Sequence, residues 1–297
     1  MAATPGNDAA VVSDLPFYKM TGSGNDFVML DGRSTASQQW SAAGVRAICD
    51  RRNGVGADGL VVLEPVEAGV VRMTYWNADG SRGAMCGNAA LCSGRLAVAL
   101  GLAAPGEFCL LTDSGAVRVR TLAQRDQAEI NLPEFPVSIQ APSQLVRLEG
   151  ERWMTFLTVG VPHLIVRVDA IQKVDVAARG RALRFDPVLG AEGANVNFIS
   201  PTADPEAPWG IRTYERGVEG ETLACGTGTV AAAVALAARG EATLPLVLRS
   251  RGGLTLTVRG DLQDSSASNV WLGGEGRLVF EGTGPLRSLL HHNNLPT

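Results

Sequence analysis

The chain has 297 residues, 45% of them hydrophobic and 19% charged, which suits two soluble-type domains at roughly 150 residues each. No apolar run reaches the roughly 18 residues of a membrane helix, so a membrane partner is not expected. With 26 basic against 30 acidic residues and a net charge of -4, the chain lacks the basic stripe that attracts phosphate backbones, and nucleic acid is not expected as a partner.

Residues 1–16 are rich in Ala, Asp, Asn and Pro without apolar periodicity; they read as a flexible leader, with structure starting at Phe17. Short β-prone runs between turn residues follow at Phe27 to Leu30, Leu60 to Leu63, Val70 to Trp76, Ala116 to Leu122, Ala128 to Leu132, Met154 to Val159 and Leu164 to Val168. Further runs lie at Val196 to Ile199, Gly210 to Tyr214, Leu246 to Leu248, Leu254 to Val258, Val270 to Leu272 and Leu278 to Phe280. Helical patterns cover Ser41 to Arg51, Ile171 to Gly180 and the Ala-rich stretches after Cys86 and Cys225. Many short strands with few helices predict an α+β fold with antiparallel sheets.

The last two helical stretches match. Cys86 to Gly101 and Cys225 to Gly240 each open Cys-Gly, have equal length and close on a glycine suited to a helix C-terminus. They read as an internal duplication that gives two lobes of one architecture. The first lobe is 17–132, carrying Cys86 and completed by a returning strand within 275–290; the second is 133–274, carrying Cys225; 291–297 is a polar tail. The boundary falls in the proline-containing stretch from Pro133 to Pro142.

A thiol at a helix N-terminus meets unpaired N–H groups and the positive end of the dipole, which predicts a pKa below about 8.5 for Cys86 and Cys225. The glycine after each cysteine, Gly87 or Gly226, lets its N–H approach an anion, for which a carboxylate is the natural guest. Facing lobes bring two thiols to opposite sides of one ligand. One then serves as thiolate base and the other as thiol acid, an arrangement that suits inversion of a Cα centre. Cys49, Cys92 and Cys109 read as small buried hydrophobes.

Other chemistries lack material. Three histidines, two of them His291 and His292 in the tail, offer little for a metal site, and Lys19 and Lys173 offer few candidates for a pyridoxal phosphate Schiff base. No metal and no cofactor is expected. Five cysteines without a Cys-x-x-Cys pair, and no visible secretory signal, read as a cytoplasmic protein. Gly54-Val55-Gly56-Ala57-Asp58-Gly59 fits the dinucleotide pattern literally, but a helix precedes it and a strand follows, the reverse of what that pattern needs, so it reads as a tight turn. Gly22-Ser23-Gly24 is likewise a turn, and His163 is a candidate for orienting a ligand or a thiol.

Lys19 to Phe27 (Lys-Met-Thr-Gly-Ser-Gly-Asn-Asp-Phe), Gly54 to Gly59, Asn77-Ala78-Asp79-Gly80-Ser81, Cys86-Gly87-Asn88, and Tyr214-Glu215-Arg216-Gly217 leading to Cys225-Gly226-Thr227-Gly228 together resemble the diaminopimelate epimerase family, in order from Phe17 to about Gly284. The resemblance implies a cofactor-independent enzyme that interconverts LL- and meso-2,6-diaminopimelate in lysine and peptidoglycan precursor formation. It also implies two pseudo-symmetric lobes, each a curled sheet around a central helix. Cys86 and Cys225 take the place of the acid/base pair. Gly87, Asn88, Gly226 and Thr227 match the clamp on the reacting carboxylate, and Asn25, Asn77, His163, Asn195, Glu215 and Arg216 match substrate-binding positions. Val161 stands where many members carry asparagine and Gly59 where some carry glutamine, which bears on recognition of the distal end. The rival readings are a proline or hydroxyproline-type racemase on the same scaffold and a non-enzymatic amino-acid-binding protein. The partner is a small-molecule substrate, with a homodimer left open.

Overall fold

The computed structural model describes residues 14–124, 126–263 and 265–290. Most of the leader, residues 1–13, and the tail 291–297 lie outside the described residues. Order begins slightly before Phe17, because Leu15 and Pro16 already belong to the first strand.

The first lobe runs β1 (Leu15–Gly22), β2 (Asn25–Asp31), α1 (Ala42–Cys49), β3 (Gly59–Glu67), β4 (Val70–Asn77), β5 (Arg82–Gly83), α2 (Gly87–Ala99), β6 (Glu107–Thr112), β7 (Gly115–Thr121) and β8 (Gln127–Leu132). After the short β9 (Phe135–Pro136), the second runs β10 (Glu151–Val159), β11 (Val161–Val168), α3 (Val176–Arg184), β12 (Asn195–Pro201), β13 (Trp209–Glu215), β14 (Gly220–Thr222), α4 (Gly226–Ala238), β15 (Leu246–Arg249), β16 (Thr255–Gln263) and β17 (Ser266–Glu275). Then β18 (Arg277–Gly284) returns to pair with β1, and α5 (Arg287–Leu290) packs on α1.

The two series repeat one wiring. A hairpin, β1 with β2, recurs as β10 with β11; a parallel pair across a helix, β2 with β3, recurs as β11 with β12. Likewise β4 pairs in parallel with β6 across α2, and β13 with β15 across α4. The sheet is therefore mixed rather than purely antiparallel. Each helix placed between two strands carries the chain back to the same end of the sheet, which makes the next strand parallel. The expected helix from Ile171 to Gly180 is a single 3-10 turn at Ile171–Lys173 followed by α3, because the Asp175 carboxylate accepts from the Ala178 amide and starts the helix there.

In β2, β12 and the first half of β3 both faces are covered, so these stretches are continuously buried. In β2, Phe27 and Met29 face α2 and its Ala89, Ala90 and Leu91, while Val28 and Leu30 face Val45 and Ile48 of α1. In β12, Val196 and Phe198 face outward onto α3, which leaves Asn195 and Asn197 on the inner face beside α4. Residues Gly228 to Leu236 of α4 are buried on every side; the alanines there let the sheet curl close around the helix. One core runs through both lobes, joined where β8 and β17 pair from Leu132↔Val270 to Gln127↔Glu275. Among the described residues no helix is long and apolar enough to cross a membrane.

Candidate active site

Cys86 and Cys225 occupy the same station in the two lobes. Each is the residue just before its central helix, in extended backbone of nearly equal dihedrals, φ -138 and ψ 119 for Cys86 and φ -129 and ψ 110 for Cys225. The first residues of the two helices sit over one spot. A Cβ on Gly87 would meet Ile130 Cδ1 at 3.5 Å, and one on Gly226 would meet Leu272 Cδ2 at 2.8 Å. Ile130 and Leu272 are direct cross-strand partners in the β8–β17 seam. The two helix starts therefore stand side by side on a single residue pair, and α2 touches α4.

Both sulfurs receive backbone amides. Cys86 faces the N–H groups of Ala89 and Asn88; Cys225 faces that of Gly228, with Thr227 Oγ1 at 3.8 Å. These donors favour the thiolate, as the sequence predicts. Burial nevertheless outweighs them, so the expected lowering is overturned: burial first and then the Glu215 carboxylate push the Cys225 thiol up to about 12, and burial raises Cys86 too. Each sulfur feels the charge of Glu215, and Cys225 feels that of Cys86. The half-buried Glu215 carboxyl is likewise raised by burial.

Around this pair the structure gathers most of the polar candidates. Asn25, opening β2, donates to the Asp58 carboxylate at 3.0 Å and accepts from Asn88 Nδ2 at 2.7 Å. Asp58 is anchored in turn by Arg51, which with Lys19 also holds Asp26 and keeps that carboxyl well below its usual range. Lys19 caps the Gly56 carbonyl, so the Gly54 to Gly59 turn between α1 and β3 is a brace for Asn25. The buried Asn195 accepts from the Arg216 backbone N–H at 2.7 Å through its Oδ1. The Arg216 guanidinium holds Glu192 at 2.7 Å, a carboxylate 84% exposed. Asn77, at the exposed end of β4, is bonded to Tyr75 and Ser81.

His163 is fully buried, and burial, followed by the charge of Arg216, lowers it to about 3, so its ring is neutral. Asn197 Nδ2 donates to its Nδ1 at 3.2 Å, which puts the ring proton on Nε2. The ring also meets the Val159 backbone, while the Oδ1 of Asn88 is buried with no partner among the described residues. Buried polar atoms without partners are costly, and a polar ligand relieves the cost.

Sequence reasoning singles out neither Asn197 nor Tyr75. Asn197 also accepts from Thr213 at 2.9 Å, and its Oδ1 lies 2.2 Å from where a Cβ on Gly228 would stand. Alternation along the strand is the signal that finds them: Asn197 lies two residues beyond Asn195, and Tyr75 two before Asn77. Val161 opens β11, and the space above Gly59 is filled by the Tyr75 ring.

A sequence profile described as Diaminopimelate epimerase matches residues 17–132 and 155–270, one stretch in each lobe. The diaminopimelate epimerase of Gemmatimonas aurantiaca is 41% identical over 284 residues, covering 90% of this chain and 98% of that protein. That of Chlorobaculum tepidum is 38% identical over 269 residues, covering 89% and 99%. Among solved structures, a Bacillus anthracis phenazine biosynthesis protein of the PhzF family has a TM-score of 0.68 at 14% identity, covering 92% of this chain and 99% of that one, a likeness of fold.

Proposed function

The chain belongs to the diaminopimelate epimerase family and is an isomerase, and from that premise we propose that it converts LL-2,6-diaminopimelate to meso-diaminopimelate with Cys86 and Cys225 as acid and base. It thereby supplies lysine and peptidoglycan precursors. The observation that carries the reading is the seating of two matched Cys-Gly helix starts on the paired Ile130 and Leu272. A carboxylate there accepts from amides of both helices, whose dipoles point at it.

One sulfur, as thiolate, takes the proton from Cα. The electron pair left behind is stabilised into the clamped carboxylate, and the other thiol delivers its proton to the opposite face. The second sulfur ends as thiolate, and the roles exchange in the reverse direction. Burial and Glu215 hold both thiols protonated before substrate arrives. The substrate brings an α-ammonium beside them, and its positive charge offsets Glu215 and favours one thiolate. His163, neutral, adds no charge beside the thiols. Asn25, Asn77, Asn195 and Arg216 read the remaining ammonium and carboxylate, and a ligand lacking them leaves those groups unpaired.

Cys86→Ala and Cys225→Ala test the assignment. Each is expected to abolish epimerisation while its melting temperature stays near wild type, and wild-type-like turnover in either variant overturns it. Proline is expected to be inert; its racemisation would favour the one-carboxylate substrates of the alternative reading.

A further inference from the structure

Asn77 lies in a hydrogen-bond chain that can run in one direction only. The Asp79 carboxyl is held below its usual range by the Ser81 hydroxyl and amide, so it is ionised and can only accept. Its Oδ1 takes the Ser81 hydroxyl at 2.6 Å and the Ser81 N–H at 2.8 Å. A hydroxyl that donates to Asp79 must accept from its other neighbour, and the Asn77 amide nitrogen stands at 2.9 Å. The carboxamide is thus turned with its oxygen toward Tyr75, whose phenol donates to it at 2.7 Å.

Tyr75 is 8% exposed, and its ring fills space that two glycines leave open. A Cβ on Gly59 would lie 2.6 Å from ring atom Cε2, and one on Gly83 would lie 2.5 Å from Cδ1. Phe27 closes one side edge-on, with ring centroids 6.1 Å apart. Gly83 is the direct cross-strand partner of Tyr75, and Gly59 that of Asn77, so the ring spans strands β3, β4 and β5 at the mouth of the site. Burial, and then the charge of Cys86, push the phenol up; it stays a donor and lies on the Cys86 side.

We infer that Tyr75 is a positioning residue for substrate recognition: its hydroxyl locks the Asn77 carboxamide so that one amide N–H and one carbonyl lone pair meet the ligand in a set orientation, with the bare backbone at Gly59 and Gly83 admitting the ring. The inference rests on the reading of Asn77 as a substrate contact. The departure at Gly59 is then an exchange, because the tyrosine occupies the volume that a longer side chain at 59 would need. An unlocked carboxamide rotates freely and pays for its ordering when substrate binds.

The test compares KM with kcat for LL-diaminopimelate. Tyr75→Phe removes one oxygen and keeps the ring; it is expected to raise KM about fivefold with kcat within about twofold of wild type. Ser81→Ala cuts the same chain at an exposed residue and is expected to raise KM similarly. Asn77→Ala is expected to raise KM about tenfold, and adding Tyr75→Phe to it should change nothing more. If Asn77→Ala raises KM but Tyr75→Phe and Ser81→Ala do not, the positioning role is overturned while the contact stands. If Asn77→Ala itself leaves KM unchanged, the contact fails and takes the positioning role with it. If Tyr75→Phe lowers the melting temperature and kcat while Ser81→Ala is silent, the phenol is only a packing element and the inference is overturned.

Discussion

Gly228 is where a single methyl group most directly tests the placement of Cys225. A Cβ there would lie 2.2 Å from Asn197 Oδ1 and 3.2 Å from the Cys225 sulfur. Comfortable contact begins near 3.5 Å, so in Gly228→Ala the helix start and β12 must part by about 1 Å. Alanine regains about 1 kcal/mol of helix propensity, against about 1–3 kcal/mol for overpacking, so the net stability loss is about 1 kcal/mol. Asn197 is held by Thr213 and His163, so the helix start takes up that shift and carries the Cys225 sulfur with it, and a misplacement of about 1 Å costs roughly 100-fold in turnover. The contrast is Gly87→Ala, whose Cβ meets only Ile130 Cδ1 at 3.5 Å, an ordinary contact. That variant should melt like wild type and lose substrate affinity, because its methyl stands beside the proposed carboxylate. Urea unfolding gives the stabilities and a chiral separation of the diaminopimelate isomers gives the rates. A Gly228→Ala enzyme within about twofold of wild-type kcat would refute the reasoning.

Two further outcomes follow from ionisation. His163 is lowered to about 3 in the fold from an ordinary 6.5, so below pH 6.5 the unfolded chain takes up a proton that the folded one refuses, and stability falls with pH through that window. Wild type should lose about 2 kcal/mol more than His163→Gln between pH 7 and pH 5 in urea titrations; equal losses would contradict the buried neutral ring. Asp26, held low by Lys19 and Arg51, contributes above its ordinary 3.8 and is lost only below it, outside this comparison. Because Cys225 is pushed up to about 12, iodoacetamide should label the ligand-free enzyme slowly at pH 7 and progressively faster above pH 9; a rate already at its plateau at pH 7 would show a thiolate that burial does not suppress.

The duplication and both matched helix starts are legible because they rest on local signals: Cys-Gly before an alanine-rich stretch, and a closing glycine, twice. The parallel pairings are not, because period-two alternation looks the same in either direction and only the crossover helices decide it. Strand β1 is hidden in sequence because Pro16 and Lys19 interrupt its apolar pattern, though Lys19 is buried against Asp26. The direction of the cysteine shifts is not legible in sequence, where the helix terminus is visible and the burial around it is not. Tyr75 and Asn197 are hydrogen-bonded to Asn77 and His163 respectively, and such pairing has no sequence signature.

The proposed pair of thiols on opposite faces of one carbon dictates where a solvent deuteron must end. With LL-diaminopimelate in deuterated water, the first meso product formed should carry deuterium at the inverted Cα while recovered LL substrate stays protiated, and neither Cys86→Ala nor Cys225→Ala should form product. Meso product that keeps the substrate's own hydrogen would mean one group working on both faces and would contradict the paired roles of Cys86 and Cys225.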